Sequence, residues 1–286
     1  MPAEHLLTTL AGQTAVISSQ VRPTESRLLV FARGGSASVT HAYATDIRFD
    51  ASDIATGVTW NQFHAPLRLM IDYLVERGFM VVTPALFDAS LIGTVAQGGE
   101  SGNDASTTLL ASVITEAQAL PGVASGNYGL ISFSMGCPTI ANHARRVSYT
   151  GIAGMLSICP LGVLEEFRGR DAAQGISYAG INLAHGIGGV AGTTACDAAW
   201  DDIAAVKEPA AIAPNVTFPW GIWSNDNDTA VPPADHADVV NAAIPSQYRN
   251  RVAMGNGVAT SPIGGHDYSQ IDGAEVYAYV STWNWG

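Results

Sequence analysis

Charge is scarce in this sequence. Only 13 % of its 286 residues are charged. That is too few for an array of solvated helices, and the 30 glycines point instead to buried strands, close packing and turns. The charges present are unbalanced: 25 Asp and Glu against 13 Lys and Arg give a net charge of −12. There is no basic cluster beyond Arg145-Arg146. An acidic surface repels phosphate backbones and anionic membranes at long range. Nucleic acid is therefore not an expected partner, and polyanionic substrates are disfavoured. Neutral esters and amides are compatible with it.

Long apolar runs are missing as well. None approaches the ~20 residues needed to span a bilayer, and residues 1–13 lack the basic-then-apolar pattern of a secretory leader. Cysteine is rare: Cys137, Cys159 and Cys196. They show no CxxC spacing and no nearby His at ligand spacing, so no metal site is expected. Three free buried thiols are expected over one disulfide and a spare, which leans toward a reducing, cytoplasmic compartment.

Apolar residues are plentiful, at 47 %, ample for the core of one large domain. Three β-rich stretches open the chain, at HLLTTL, TAVISSQV and RLLVFAR. Ala11-Gly12-Gln13 separates the first two as a hairpin turn. From Gln62 to Arg77, Phe63, Leu67, Met70, Ile71, Leu74 and Val75 recur at helical spacing, and Gly78 follows as a stop. FMVVTPALFD then reads as a strand buried on both faces. The alternation continues: a helix over 106–120, a strand over 128–133, a helix over 135–147 and a strand over 151–159. Strands at 216–223 and 251–255 follow, with helices at 233–243 and after 267. Such alternation builds a mostly parallel sheet with helices on both faces. Residues 161–215 break the rhythm. Long, and rich in Ala and Gly, they are expected to form a helical cap inserted over the strand ends.

The chemistry centres on ISFSMGC, residues 131–137. Ser134 falls between a buried strand and a helix. A serine hydroxyl is a poor nucleophile until a base and an anion stabiliser stand beside it. A sharp strand-to-helix turn exposes the hydroxyl and aims the N–H of the next residue, Met135, at a developing oxyanion. Strand and helix pass close there, and Ser132 and Gly136 supply the small flanks. A base is offered by His266, in the glycine-bounded loop GGHDYS after the last strand. His185, inside the cap, suits substrate contact better. NDNDTAVP follows another strand and offers Asp226 and Asp228 as the acid that orients the imidazole. The D-x-x-V-P form favours Asp228.

Nucleophile, acid and histidine thus come in the order Ser, Asp, His at the ends of successive strands. On GLISFSMG, NDNDTAVP and GGHD the chain resembles the α/β-hydrolase superfamily, from about residue 27 to 283. The resemblance implies one domain over 1–286, with a central eight-stranded, mostly parallel sheet and the cap at 161–215. It also implies a second oxyanion N–H from the loop FARGGSAS, carried here to Gly35, with Gly34 and Ser36 adjacent. Ser132 stands where the family has glycine, and Arg33-Gly34 where it has His-Gly. The implied function is hydrolysis of a small-molecule or lipid-like carboxylic ester through an acyl-enzyme on a Ser134-His266-Asp228 triad, with no metal or organic cofactor. Trp60, Phe133, Leu161, His185 and Trp223 are candidate pocket residues. A thioesterase, an acyltransferase or a cofactor-free haloperoxidase would use the same triad. A non-catalytic binding protein would keep the fold alone.

Overall fold

A computed structural model describes residues 3–21, 25–32, 58–84, 102–167, 194–258 and 264–286. The strands are β1 (Ala3–Leu10), β2 (Gln13–Gln20), β3 (Arg27–Ala32), β4 (Phe79–Pro84), β5 (Tyr128–Phe133), β6 (Ile152–Ile158), β7 (Trp220–Ser224) and β8 (Arg249–Ala253). They join in one sheet of order β1-β2-β4-β3-β5-β6-β7-β8. β1 and β2 form the expected hairpin, with Ala11 and Gly12 at φ 51° and 76°, a left-handed pair whose twist suits the strands it joins. β2 lies antiparallel to β4. Every other neighbouring pair is parallel.

The helices are α1 (Val58–Glu76), α2 (Asp104–Gln118), α3 (Gly136–Arg146), α4 (Thr194–Asp202), α5 (Pro209–Ile212), α6 (Ala237–Ala243) and α7 (Gly273–Val280). Strands β4 to β7 are buried along their whole length, as apolar runs between two helical layers must be. On one face Leu110, Val113, Ile140, Ala144 and Val240 of α2, α3 and α6 pack over Val30, Leu130 and Ile222. On the other, Leu67, Met70, Leu74, Val276 and Val280 of α1 and α7 cover Phe31, Ile131 and Leu156. Trp283 closes that layer so tightly that a Cβ on Gly154 would stand 2.4 Å from its ring. Glycine in β6 is thus a space requirement. No helix among the described residues is long and apolar enough to cross a membrane.

Some boundaries differ from the sequence expectation. β7 begins at Trp220, not at residue 216, because residues 213–215 form a 3-10 turn and Pro219 has no N–H to give the ladder. α6 begins at Ala237 because residues 233–236 turn back on Pro232, whose carbonyl accepts from Asp235 and His236. Within the 161–215 stretch the described residues are largely helical: α4, a π-helical turn over Ile203–Lys207, and α5. Trp200 and Ile203 pack with Met135, Leu161, Leu164 and Val231 in a separate apolar cluster. That cluster sits on the segments that follow β5, β6 and β7.

Candidate active site

β5 runs buried through the sheet and ends at Phe133, and the next residue turns sharply. Ser134 has φ 53°, in the left-handed region that costs a non-glycine residue roughly 1–2 kcal/mol. Three backbone bonds hold it there. Its N–H donates to Ile158 O at 3.0 Å, and its carbonyl accepts from Cys137 N at 3.0 Å and Leu161 N at 3.1 Å. The turn is thus gripped by α3 on one side and by β6 and its following loop on the other. The buried Ser132 side chain is accommodated by pairing. Its hydroxyl donates to Ser157 Oγ at 3.0 Å, which also accepts from Trp220 Nε1 at 3.0 Å.

The segment after β7 folds Asp228 inward, 3 % exposed. Oδ1 accepts from the Ala230 and Val231 N–H groups at 3.1 and 2.8 Å. Oδ2 lies 2.6 Å from His266 Nδ1. A carboxylate only accepts, so Nδ1 carries the proton, and the neutral ring keeps its lone pair on Nε2. Asp226 is exposed, and its N–H donates to Gly255 O. Of the two candidate acids, the one on His266 is Asp228.

The histidine loop is stitched to the acid loop. Thr229 N donates to Gly264 O at 2.9 Å. Asn225 Nδ2 donates to Gly265 O at 2.7 Å and Asp267 O at 3.1 Å. Gly265 has φ 81°, and a Cβ there would meet Asn227 O at 2.7 Å, so glycine is required on two counts. Asp267 braces the far side, accepting from Val258 N and Ser269 N, both at 2.8 Å. The His266 ring rests on Phe133, centroids 4.8 Å apart, and Tyr268 stacks on Phe133 at 4.1 Å. Phe133 directly precedes Ser134, so the ring on which the imidazole rests belongs to the residue next to the serine.

Of the other candidates, Leu161 is fully buried and Met135 nearly so, both in the cluster under Trp200. Trp223 has a packing role within β7: its indole N–H donates to Asn250 Oδ1 at 3.0 Å and its ring meets Tyr279. Trp60 lies in the first turn of α1, its side chain outside the described residues. Gly35, with Gly34 and Ser36, and His185 also lie outside them.

Two residues at the site had no signal in the sequence reading. Asn225, buried, ties the acid and histidine loops together. Cys159 follows β6 with φ 44°, and its Sγ lies within 4.8 Å of ligand atoms of both Asp228 and His266. Burial, and then the negative field of Asp228, hold its thiol well above the ordinary cysteine range. A left-handed non-glycine residue cannot be read from sequence, and proximity across parallel strands leaves no spacing pattern.

No family model matches the sequence, and no curated protein matches it. Solved structures match over nearly the whole chain. Est1E from Butyrivibrio proteoclasticus superposes with a TM-score of 0.57 at 13 % identity, covering 99 % of this chain and 97 % of its own. MGS-MChE2, an α/β-hydrolase enzyme from a lagoon-sediment metagenome, gives 0.52 at 15 % identity, covering 97 % and 96 %. Puromycin hydrolase gives 0.62 at 16 % identity, covering 99 % of this chain but 40 % of its own. The chain has the fold of the α/β-hydrolase superfamily.

Proposed function

We propose that this protein is a serine hydrolase that cleaves a carboxylic ester through an acyl-enzyme, with Ser134 as nucleophile, His266 as base and Asp228 as the acid that orients it. One observation carries the reading. A serine in left-handed backbone at a strand-to-helix turn adjoins a phenylalanine on which rests a histidine bonded to a buried carboxylate at 2.6 Å. Further support comes from the fold, shared with proteins whose names describe them as hydrolases.

In the proposed reaction the free Nε2 of His266 takes the Ser134 hydroxyl proton as Oγ attacks the acyl carbonyl. The oxyanion is received by the N–H of Met135, with Gly35 as the proposed second donor. His266 then returns the proton to the departing alcohol, and water, activated in the same way, releases the acid. Asp228 keeps the proton on Nδ1 and stabilises the imidazolium that forms. None of these steps calls for a metal or an organic cofactor. Within the stretch proposed as a cap, the described helical residues 194–212 cover the segments that follow β5, β6 and β7. The apolar cluster of Met135, Leu161, Leu164, Trp200, Ile203 and Val231 favours an apolar acyl group over a charged one.

The test is turnover of p-nitrophenyl esters of graded acyl length. Hydrolysis by the native protein and its loss in Ser134→Ala, with far-UV dichroism unchanged, is the expected result. Equal rates in the two proteins would remove Ser134 from the nucleophile role.

A further inference from the structure

Cys159 has no part in the acyl-transfer steps, yet it is buried against the two groups that assist them. Its Sγ, a carboxylate oxygen of Asp228 and a ring nitrogen of His266 all lie within 4.8 Å of one another. The three residues are 1 %, 3 % and 5 % exposed. Asp267, the next residue after His266, adds its negative field at the same sulfur. A buried carboxylate beside a thiol opposes a bare thiolate, and with the imidazole it favours a cation that would neutralise the sulfur.

The donor set is specific. Sulfur, imidazole nitrogen and carboxylate oxygen together suit zinc, which all three ligand types bind at about 2.0–2.3 Å. Around a tetrahedral zinc such atoms stand about 3.3–3.6 Å apart, by simple geometry from those bond lengths. The Nδ1–Oδ2 pair, at 2.6 Å, would open by roughly 0.7 Å to reach that spacing, and Sγ would close on it. Oδ1 keeps its two backbone N–H partners throughout, so the carboxylate stays anchored while its other oxygen changes partner.

We propose that Cys159, Asp228 and His266 form a binding site for a thiophilic divalent cation, zinc above all, with water as the fourth ligand, and that its occupancy switches the serine site off. On binding, the thiol proton leaves to solvent. The metal takes the Nδ1 lone pair, and the proton formerly on Nδ1 moves to Nε2. The ring stays neutral but has no lone pair to receive the Ser134 proton, and Asp228 no longer orients it. Inhibition is therefore noncompetitive with ester and is reversed by a chelator. The inhibition rests on the serine-hydrolase reading; the metal binding does not.

Cobalt(II) titration of full-length Ser134→Ala protein tests the site without catalysis. One equivalent of cobalt with a sulfur-to-cobalt charge-transfer band is expected, and the band is lost in Ser134→Ala/Cys159→Ala. No band at saturating cobalt, or a band that survives removal of Cys159, would overturn the site. With Ser134 intact, zinc should inhibit ester hydrolysis, and Cys159→Ala should raise the half-inhibitory zinc concentration at least tenfold, each protein scaled to its own chelator-treated rate. An unchanged concentration would overturn the switch. A protein that hydrolyses no ester would refute the functional reading and leave the cobalt result to decide the site alone.

Discussion

Ser18, His5 and Asp72 meet on the β1–β2 hairpin and α1, while Asp228 and His266 pair in the loops that follow β7 and β8 and Ser134 turns just past the end of β5. The residue types are the same and the wiring differs. His5 lies 2.8 Å from Ser18 Oγ through Nδ1 and 2.8 Å from Asp72 Oδ1 through Nε2, so both nitrogens are committed. His266 gives Nδ1 to its carboxylate and keeps Nε2. Ser18 is a fully buried residue within β2, paired directly with His5 across the hairpin, where a cross-strand contact serves the sheet. Ser134 sits in a left-handed turn at the start of a helix. Asp72 is half committed to Arg68, whose Nε reaches its two oxygens at 3.1 and 3.0 Å, whereas Asp228 is enclosed by backbone N–H groups. Three residue types in contact therefore do not make a reactive site. The backbone on which the serine is mounted, and the nitrogen left free, distinguish the two clusters.

Substitutions at matching positions sharpen that contrast. The largest effect falls on the serines: Ser134→Ala should lower kcat for ester hydrolysis roughly 10⁵-fold or more, while Ser18→Ala leaves kcat within about twofold. Stopped assays over a wide enzyme range will separate these. The acids come next. Asp228→Asn should cost roughly 10³–10⁴-fold in kcat, since the amide favours the wrong imidazole tautomer, whereas the exposed Asp226 tolerates the same change within about twofold. An equal loss at both positions would break the assignment of the acid.

A third effect is on packing. Trp200→Ala removes a fully buried ring from the cluster on Met135 and Val231 and should destabilise the protein by roughly 3–5 kcal/mol in urea unfolding, with KM raised more than kcat is lowered. The smallest effect belongs to the hairpin cluster. Burial alone would raise the Asp72 carboxyl, but the His5 ring and Arg68 outweigh it and hold it below its ordinary value of 3.8. A depressed carboxylate stabilises the fold fully above 3.8, and that contribution is lost as the pH falls through the lower folded value. Asp72→Asn should cost about 1 kcal/mol at neutral pH and flatten the loss of stability on acidification below pH ~4, measured by urea midpoints across that range.

The sheet was largely legible in the sequence, because runs such as YGLISF are apolar throughout, and only a strand buried on both faces needs that. The expected 128–133 strand and the hairpin turn at Ala11-Gly12 coincide with β5 and the β1–β2 turn. Boundaries slipped where proline intervenes, at Pro219 and Pro232. Chain order offered Ser134, Asp228 and His266 after β5, β7 and β8, and of these the structure pairs Asp228 with His266. Asn225 and Cys159 were not legible, since each meets its partners across strands that are distant in sequence. The three cysteines, read by spacing, excluded a metal-ligand pattern, yet the fold brings Cys159 to a histidine 107 positions away (266 − 159). Trp223 shows the reverse failure: an aromatic residue near the site in sequence, occupied with Asn250 and Tyr279 in the core.

The most direct test of the central claim is covalent capture. The full chain is treated with a fluorophosphonate at neutral pH, digested, and the adduct located by tandem mass spectrometry. A single stoichiometric adduct on Ser134, absent when Asp228 is changed to Asn under the same short exposure, is the expected result. An adduct on Ser18 or another serine, or none on Ser134 at full exposure, would contradict it.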